Sequence, residues 1–89
     1  MGYSVDYTKR ASKQLKKMDR QIAALIISYI EDKLVDCGNP RVHGKPLKGI
    51  NDIWRYRVGS YRILTRIEDS TVTITVVTVG HRRDIYKNL

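Results

Sequence analysis

A segment near the C-terminus, Val79 to Tyr86, combines side chains that together can cleave a phosphodiester bond. It contains an imidazole, two guanidiniums and a phenol, which belong to His81, Arg82, Arg83 and Tyr86. In metal-free RNA cleavage, a base takes the proton of the 2′-hydroxyl, cations stabilise the charge that develops on the phosphate, and an acid protonates the leaving oxygen. The segment therefore holds the types of group that such cleavage requires, although a lone histidine or tyrosine is more often an exposed or packing residue.

Four arginines form a second candidate group, which β-strand alternation brings together. Two stretches of period two, residues 53–58 and 61–67, flank the two-residue turn Gly59-Ser60 and predict a β-hairpin. Trp54, Tyr56 and Ile63 share one face of this hairpin, so that face should lie under helices. The other face then carries Arg55, Arg57, Arg62 and Arg66. Such like charges repel one another, and their clustering favours a bound polyanion over a merely solvated sheet face.

The elements that must position these groups follow from hydrophobic periodicity, caps and turns. In order, the sequence predicts a strand at Tyr3–Tyr7, a helix capped by Thr8, a longer helix capped by Asp19 and ended by Gly38, a basic loop at Arg41–Asp52, and strands at Ile53–Val58, Tyr61–Ile67 and Thr71–Val79. The order β-α-α-β-β-β predicts an α+β fold in which a helical hairpin packs on one face of a mainly antiparallel four-stranded sheet.

The length predicts one domain over residues 1–89. The last strand should be central because it is the most apolar, and six side chains should be mostly buried: Trp54, Tyr56, Ile63, Val72, Ile74 and Val76.

The net charge indicates the class of binding partner, and the cysteine content indicates the redox compartment. The chain has 17 Lys plus Arg against 9 Asp plus Glu, a formal charge of +8, and this favours nucleic acid as a partner, with an acidic protein second. Its single cysteine, Cys37, excludes an internal disulfide and fits the cytoplasm, and its helical position predicts a packing role. We expect neither a membrane span nor a signal peptide, since no apolar run approaches the ~18 residues that a span needs.

Along nearly its whole length the chain resembles the RelE branch of the RelE/ParE toxin superfamily. The segments that carry the resemblance are Tyr3 to Arg10, Lys45-Pro46-Leu47-Lys48-Gly49, Trp54-Arg55-Tyr56-Arg57-Val58, Ser60-Tyr61-Arg62-Ile63, and Val79-Gly80-His81-Arg82-Arg83-Asp84-Ile85-Tyr86. No single segment is specific, but their order and spacing together are.

The resemblance implies a toxin of a type II toxin–antitoxin system that inhibits translation. Such an mRNA interferase enters the ribosomal A site and cuts mRNA there without a cofactor or metal, through attack of the 2′-hydroxyl on the adjacent phosphate. Its implied partners are ribosomal RNA, mRNA and a cognate antitoxin, and the toxin reaches operator DNA only through that antitoxin.

The resemblance also implies roles for individual residues. By position, the catalytic and RNA-contacting places fall to Arg55, Arg57, Arg62, Arg82 and Tyr86. We expect Lys45, Lys48, Arg66 and Arg83 to bind RNA or the ribosome. Where the best-known members have two lysines on the strand, this chain has Arg55 and Arg57, and arginine is a poor general base. This departure adds His81 as a candidate base, because imidazole titrates near neutral pH.

Two other functions remain open. A ParE-like toxin would share the fold and poison DNA gyrase without an active site of its own. A plain basic domain would bind RNA or DNA and have no toxin function. The combination of His81, Arg82 and Tyr86 favours the RNA-cleaving branch, since ParE-type members generally lack the full set of catalytic groups.

Overall fold

A five-stranded sheet with two helices on one face makes up the part of the chain that the computed structural model describes, residues 3–35, 39–47, 49 and 52–81. The elements run in the order β1 (Ser4–Tyr7), α1 (Lys9–Lys17), α2 (Arg20–Ile30), a π-helical turn (Glu31–Val35), a 3-10 helix (Pro40–His43), β2 (Lys45–Pro46), β3 (Ile53–Val58), β4 (Tyr61–Glu68) and β5 (Thr73–His81). This arrangement confirms the predicted α+β class.

The strands lie in the order β1-β5-β4-β3-β2, in which β1 pairs with β5 in parallel and every other pair is antiparallel. The sheet therefore has one strand more than predicted, because Lys45–Pro46 pairs with β3 inside the segment expected to be loop. β5 is an inner strand, but β4 and not β5 occupies the middle position.

Both helices begin at the predicted caps. The Thr8 hydroxyl accepts a hydrogen bond from the Ala11 amide at 3.1 Å, and the Asp19 carboxylate accepts one from the Gln21 amide at 2.8 Å. α2 continues into the π-helical turn, and the predicted end at Gly38 lies outside the described residues, as does Cys37.

The main core lies between the helices and the sheet. Tyr56, Ile63, Ile74 and Val76 are buried there as predicted, whereas Trp54 is only half-buried at its edge. The prediction for Val72 is wrong: its side chain is 47% exposed and its φ is 50°. The reason is that β5 begins at Thr73, so Val72 belongs to the turn between β4 and β5.

A β-bulge in β5 changes which way its last residues point. Leu64 pairs with Thr78 and Thr65 pairs with Val76, so Val77 is an extra residue in β5. Val76 and Val79 both pack in the core under the helices, while Val77 packs on the opposite face. The bulge thus reverses the alternation of side chains for residues 78–81.

Candidate nucleic-acid interface

The face of the sheet turned away from the helices carries a group of basic side chains. In the register of the sheet, Arg57 is opposite Arg62, and Arg55 is opposite both Leu64 and Lys45. The alternate residues Tyr56 and Ile63 are in the core under the helices, which confirms the predicted face assignment. Lys45, Arg55, Arg57 and Arg62 are called the basic face below.

The basic face concentrates positive charge at the end of the sheet near the β3–β4 turn. Directly opposite residues in an antiparallel pair have Cβ atoms ~4.5–5.5 Å apart, so the guanidiniums of Arg57 and Arg62 can reach one anion. Arg57 and Lys45 are exposed, and Arg55 and Arg62 are half-buried. Guanidinium groups bind phosphate oxygens in a two-point geometry, which makes phosphate the ligand that this arrangement fits best.

Gly80 leaves space beside these arginines. It is the β5 residue opposite Arg62, and a Cβ built on it would meet no described atom within 4 Å. A side chain at this position would project on the same face as Arg62. The missing side chain therefore opens a place for a ligand next to the Arg57–Arg62 pair.

Arg66 lies on the same face of the sheet as Arg55, Arg57 and Arg62, as predicted, but it is four residues along β4 from Arg62. Leu64 separates it from Arg62 along β4 and is fully buried in a small apolar cluster with Ile53. β4 also extends to Glu68, so a carboxylate shares the strand face of Arg66 where a turn was expected. Arg66 therefore lies in a surface of mixed charge, away from the Arg57–Arg62 pair.

His81 lies on the other side of the sheet from the basic face. It pairs with Tyr61, and the two rings are in edge-to-face contact with centroids 5.8 Å apart. Tyr61 packs against the core under the helices. Simple alternation from Val76 would place His81 beside Arg62, but the bulge at Val77 reverses its direction. The described structure thus does not bring His81 together with the arginines, and His81 is exposed at the strand end.

Four of the predicted site residues, Lys48, Arg82, Arg83 and Tyr86, lie outside the described residues. Their predicted roles stay predictions.

Tyr56 holds β2 in place next to β3, a function that the sequence analysis did not foresee. Its hydroxyl donates a hydrogen bond to the Pro40 carbonyl at 2.5 Å, and its ring lies against Gly44. A Cβ at Gly44 would be 2.7 Å from Cε2 of that ring. The close approach of backbone to ring brings Lys45 into register with Arg55. The sequence signal for this contact is Gly44 itself, because a residue without a Cβ lets another group approach the backbone closely.

Gln14 on α1 holds the end of β5. β1 stops at Tyr7, opposite Val76, so the next part of β5 lacks a strand on that side among the described residues. The Gln14 Oε1 accepts hydrogen bonds from the Val79 amide at 2.6 Å and from the Thr78 hydroxyl at 3.1 Å, and its Nε2 is 2.9 Å from the same hydroxyl. Gln14 therefore takes the place of a neighbouring strand just before Gly80.

A charged cluster ties the opposite end of the sheet together. Arg41 donates two hydrogen bonds to the Asp69 carboxylate at 3.1 and 3.0 Å, and the Tyr3 hydroxyl donates a third at 2.8 Å. The hydrogen bonds from Arg41, followed by that from Tyr3, hold the pKa of the Asp69 carboxyl below its usual range. The Arg41 guanidinium also lies 5.6 Å from the centre of the Trp54 ring. This cluster joins the 3-10 helix to the β4–β5 turn and to β3.

Within the described residues, no group of three or more His, Cys, Asp or Glu side chains is arranged to hold a metal ion. Nor is any helix in that part of the chain long and apolar enough to cross a membrane.

Comparison with known proteins defines the family. The model of the family described as the ParE toxin of the type II toxin–antitoxin system, parDE, matches residues 5–86. The toxin RelG of Mycobacterium tuberculosis is 34% identical over 88 residues, which cover 98% of this chain and 99% of that protein. The mRNA interferase toxin RelE of Escherichia coli is 28% identical over 85 residues, covering 92% of this chain and 85% of that protein.

Solved structures agree with the sequence comparisons. In the RelBE2 toxin–antitoxin complex of Mycobacterium tuberculosis, one chain matches with a TM-score of 0.82 and 32% identity, covering 94% of this chain and 95% of that one. A chain of the intact RelBE complex of Escherichia coli matches with a TM-score of 0.64 and 25% identity, covering 89% of this chain and 95% of that one. The protein therefore belongs to the RelE/ParE superfamily and is a RelE-like toxin of a type II toxin–antitoxin system, as its sequence predicted.

Proposed function

We propose that this toxin is an endoribonuclease that cleaves mRNA in the ribosomal A site and so inhibits translation. The observation that carries the proposal is the basic face, in which Arg57 lies opposite Arg62 and the open position at Gly80 lies on the other side of Arg62. The proposal is supported by the relative from Escherichia coli that is named an mRNA interferase. A phosphate of the message fits this space, with guanidinium groups on two adjacent strands beside it.

In the proposed reaction, the 2′-hydroxyl of the message attacks the adjacent phosphorus, and the bond from phosphorus to the 5′-oxygen breaks. The products are a 2′,3′-cyclic phosphate and a 5′-hydroxyl, and no metal ion takes part. Negative charge builds up on the phosphate oxygens during the attack. The arginines are held by a rigid sheet before the reaction begins, so they stabilise that charge with little reorganisation.

Proton transfer is assigned separately from charge stabilisation. The candidates are His81 for the 2′-hydroxyl and Tyr86 for the leaving oxygen, because an imidazole is a competent base at neutral pH and a phenol is a usable acid. His81 points away from the basic face and in this arrangement does not reach a phosphate bound there, so water would take the proton of the 2′-hydroxyl and His81 would contribute less than the arginines. We expect His81→Ala to lose less activity than Arg62→Ala.

The proposed partners follow from charge and from the relatives. The chain carries a formal charge of +8, which suits ribosomal RNA and an antitoxin with an acidic toxin-binding segment. The RelBE2 structure is a toxin–antitoxin complex, and we propose that this toxin is likewise held inactive by its antitoxin in the cytoplasm. It would contact operator DNA only through that antitoxin.

Primer extension on a defined message bound to ribosomes tests the proposal. The wild-type protein should produce ribosome-dependent stops at A-site codons, and Arg57→Ala or Arg62→Ala should slow the cleavage by about 10²-fold or more. Arg20→Ala is the matched control, since Arg20 is exposed on α2, away from the basic face. Loss of Arg82 should have an effect similar to loss of Arg62.

A substitution at Gly80 tests the site without removing a charge. Gly80→Val places a side chain that a strand tolerates in the open space beside Arg62. Cleavage should fall while thermal stability is retained. If neither the arginine variants nor Gly80→Val slowed cleavage, the basic face would not be the active site.

Gyrase poisoning is the second candidate function, because the family model that matches residues 5–86 is that of the ParE toxin. A gyrase poison would leave ribosome-bound mRNA intact, and it would stabilise cleaved DNA in a gyrase reaction. The two assays run with the same protein therefore separate the two functions.

A further inference from the structure

The β-bulge in β5 determines which residue of that strand lies beside Arg62. Up to the pair of Thr65 with Val76, strands β4 and β5 pair one residue with one residue. If this register continued, Arg62 would lie opposite Val79. Because the bulge adds a residue to β5, the pairing beyond it moves by one place, and Arg62 lies opposite Gly80.

This shift keeps the space proposed for the phosphate open. Val79 is fully buried in the core under the helices. Gly80 lies on the side of the basic face, where an added Cβ would meet no described atom within 4 Å. Without the extra residue the two would exchange places, so a valine side chain would stand beside Arg62 and the glycine would leave a gap in the core. The bulge therefore both fills the core and opens the proposed site.

The residues of β5 do not by themselves favour a bulge at this point. Residues 76–79 are three valines and a threonine, and β-branched residues favour a regular strand. A bulge also interrupts the hydrogen-bond ladder between two strands, so its buried backbone groups need other partners. Here Thr8 and helix α1 provide them, on the side of β5 that faces away from β4.

Thr8 holds the first half of the bulge. Its amide donates a hydrogen bond to the Val76 carbonyl at 3.0 Å, and its hydroxyl donates one to the Val77 carbonyl at 2.7 Å. In a regular strand the carbonyl groups of successive residues point to opposite edges, so both can face Thr8 only because the backbone turns at the bulge. The same hydroxyl caps α1 by accepting from the Ala11 amide, which ties the first turn of the helix to the bulge.

Gln14 holds the second half of the bulge. Its Oε1 accepts hydrogen bonds from the Val79 amide at 2.6 Å and from the Thr78 hydroxyl at 3.1 Å. Both of these β5 residues are buried, so water does not readily replace the glutamine. Thr8 and Gln14 together thus contact every residue of β5 from 76 to 79.

We propose that Thr8 and Gln14 are positioning residues for the cleavage, because they hold the bulge in the register that places Gly80 beside Arg62. The inference rests on the proposed function, in which a phosphate of the message occupies the space at Gly80. Neither residue contacts that phosphate, since β5 lies between them and Arg62. When one of the hydrogen bonds is lost, β5 can shift by one residue, and the Val79 side chain then closes the space.

Four variants separate the effect of the hydrogen bonds from the effects of charge and helix capping. Thr8→Asp keeps a good helix cap, but its carboxylate cannot donate to the Val77 carbonyl, whereas Thr8→Ser keeps the hydroxyl. Gln14→Met removes the acceptor for the Val79 amide, whereas Gln14→Glu keeps it and adds the same negative charge as Thr8→Asp. Ile30→Val is the control for lost stability, because it removes a buried methylene group from α2, which takes no part in these hydrogen bonds.

The first measurement is the single-turnover cleavage rate of a defined message at saturating ribosomes, at a temperature at which every variant is folded by circular dichroism. Thr8→Asp and Gln14→Met should be slower than the wild type by about 10-fold or more, since a small displacement at a reacting centre has a large effect on rate. Their Kd for ribosomes should change no more than that of Gln14→Glu, because the charges of the basic face are intact. Thr8→Ser, Gln14→Glu and Ile30→Val should cleave at close to the wild-type rate.

The second measurement observes the register directly by NMR of isotope-labelled protein. The wild type, Thr8→Ser and Gln14→Glu should show cross-strand nuclear Overhauser contacts between Arg62 and Gly80. In Thr8→Asp and Gln14→Met these contacts should weaken, and contacts between Arg62 and Val79 should appear.

The inference would be overturned if Thr8→Asp and Gln14→Met cut the message no more slowly than Ile30→Val. It would also be wrong if Gln14→Glu were as slow as Gln14→Met, since the hydrogen bond to the Val79 amide would then not be the cause. A slow Gln14→Met that kept its contacts between Arg62 and Gly80 would show that the register is not involved. If the wild-type protein cut no message, the proposed function would fail, while the NMR contacts would still show whether Thr8 and Gln14 hold the register.

Discussion

Replacing Gln14 by methionine tests whether α1 takes the place of a neighbouring strand at the end of β5. Methionine has a similar length but cannot accept the hydrogen bond that the Val79 amide donates at 2.6 Å. Val79 is fully buried and Thr78 is 2% exposed, so water cannot readily replace the lost acceptor. An unsatisfied buried donor costs about 1–3 kcal/mol, and the free energy of unfolding of Gln14→Met should fall by that amount. For a domain of this size, Tm should drop by roughly 4–8 °C for each kcal/mol.

Chemical denaturation gives the free energy, and amide hydrogen exchange measures the local effect at Val79. Gln14→Glu is the informative companion variant, because a carboxylate still accepts from the Val79 amide and from the Thr78 hydroxyl, and it should recover most of the lost stability. Lys13→Met controls for a methionine on an exposed part of α1. If Gln14→Met were as stable as Lys13→Met and the Val79 amide stayed protected, Gln14 would not support β5.

Three further predictions concern stability. Asp69→Asn should destabilise the protein at neutral pH and less so in acid, because the pKa of Asp69 is lowered by Arg41: its contribution is present above the unfolded pKa of ~3.9 and is lost as pH falls through the folded value. Urea unfolding at pH 7 and pH 3 measures this, and an equal difference at both pH values would contradict it. Gly44→Ala should lower the free energy of unfolding by about 1–3 kcal/mol, since the new Cβ would be 2.7 Å from the buried Tyr56 ring. An unchanged free energy in urea unfolding would show that the ring can move aside. Val72→Asn should stabilise the protein by about 1 kcal/mol, because asparagine tolerates the φ of 50° better than a β-branched residue, and an unchanged Tm would argue against strain there.

The β3–β4 hairpin could be predicted from the sequence because two local signals agree. The turn Gly59-Ser60 sets the register of the two strands, and the alternation around it assigns Arg55 and Arg57 to one face and Tyr56 to the other. The first residues of both helices could also be predicted, since a helix cap depends on the hydroxyl or carboxylate of a single residue. These elements are local, and short segments determine them.

The features that could not be predicted depend on distant partners. A run of Thr, Val and Ile has no signal for an extra residue, so the bulge at Val77 could not be located, and the direction of His81 was not foreseeable either. The sequence predicts loop at Lys45–Pro46 because Gly44, Pro46 and Gly49 are typical of turns. The structure accommodates Pro46 in a strand because β2 is at the edge of the sheet. Alternation places Arg66 on the face of Arg62, but it does not reveal the buried apolar cluster around Leu64 that lies between them, because that cluster forms only when β3, β4 and β5 come together.

The parallel pairing of β1 with β5 affects when the toxin can first fold during its own synthesis. The first strand has its hydrogen-bonded partner at residues 73–76, and α1 packs against the same last strand. At ~5–20 residues per second, a chain of 89 residues takes roughly 4–18 s to make, and its N-terminal part waits for most of that time without its partner. The open position beside Arg62 likewise forms only when β5 has been made, since Gly80 belongs to that strand. The nascent toxin therefore cannot complete its sheet until β5 has been made, and an antitoxin already present in the cell can meet the chain as it folds.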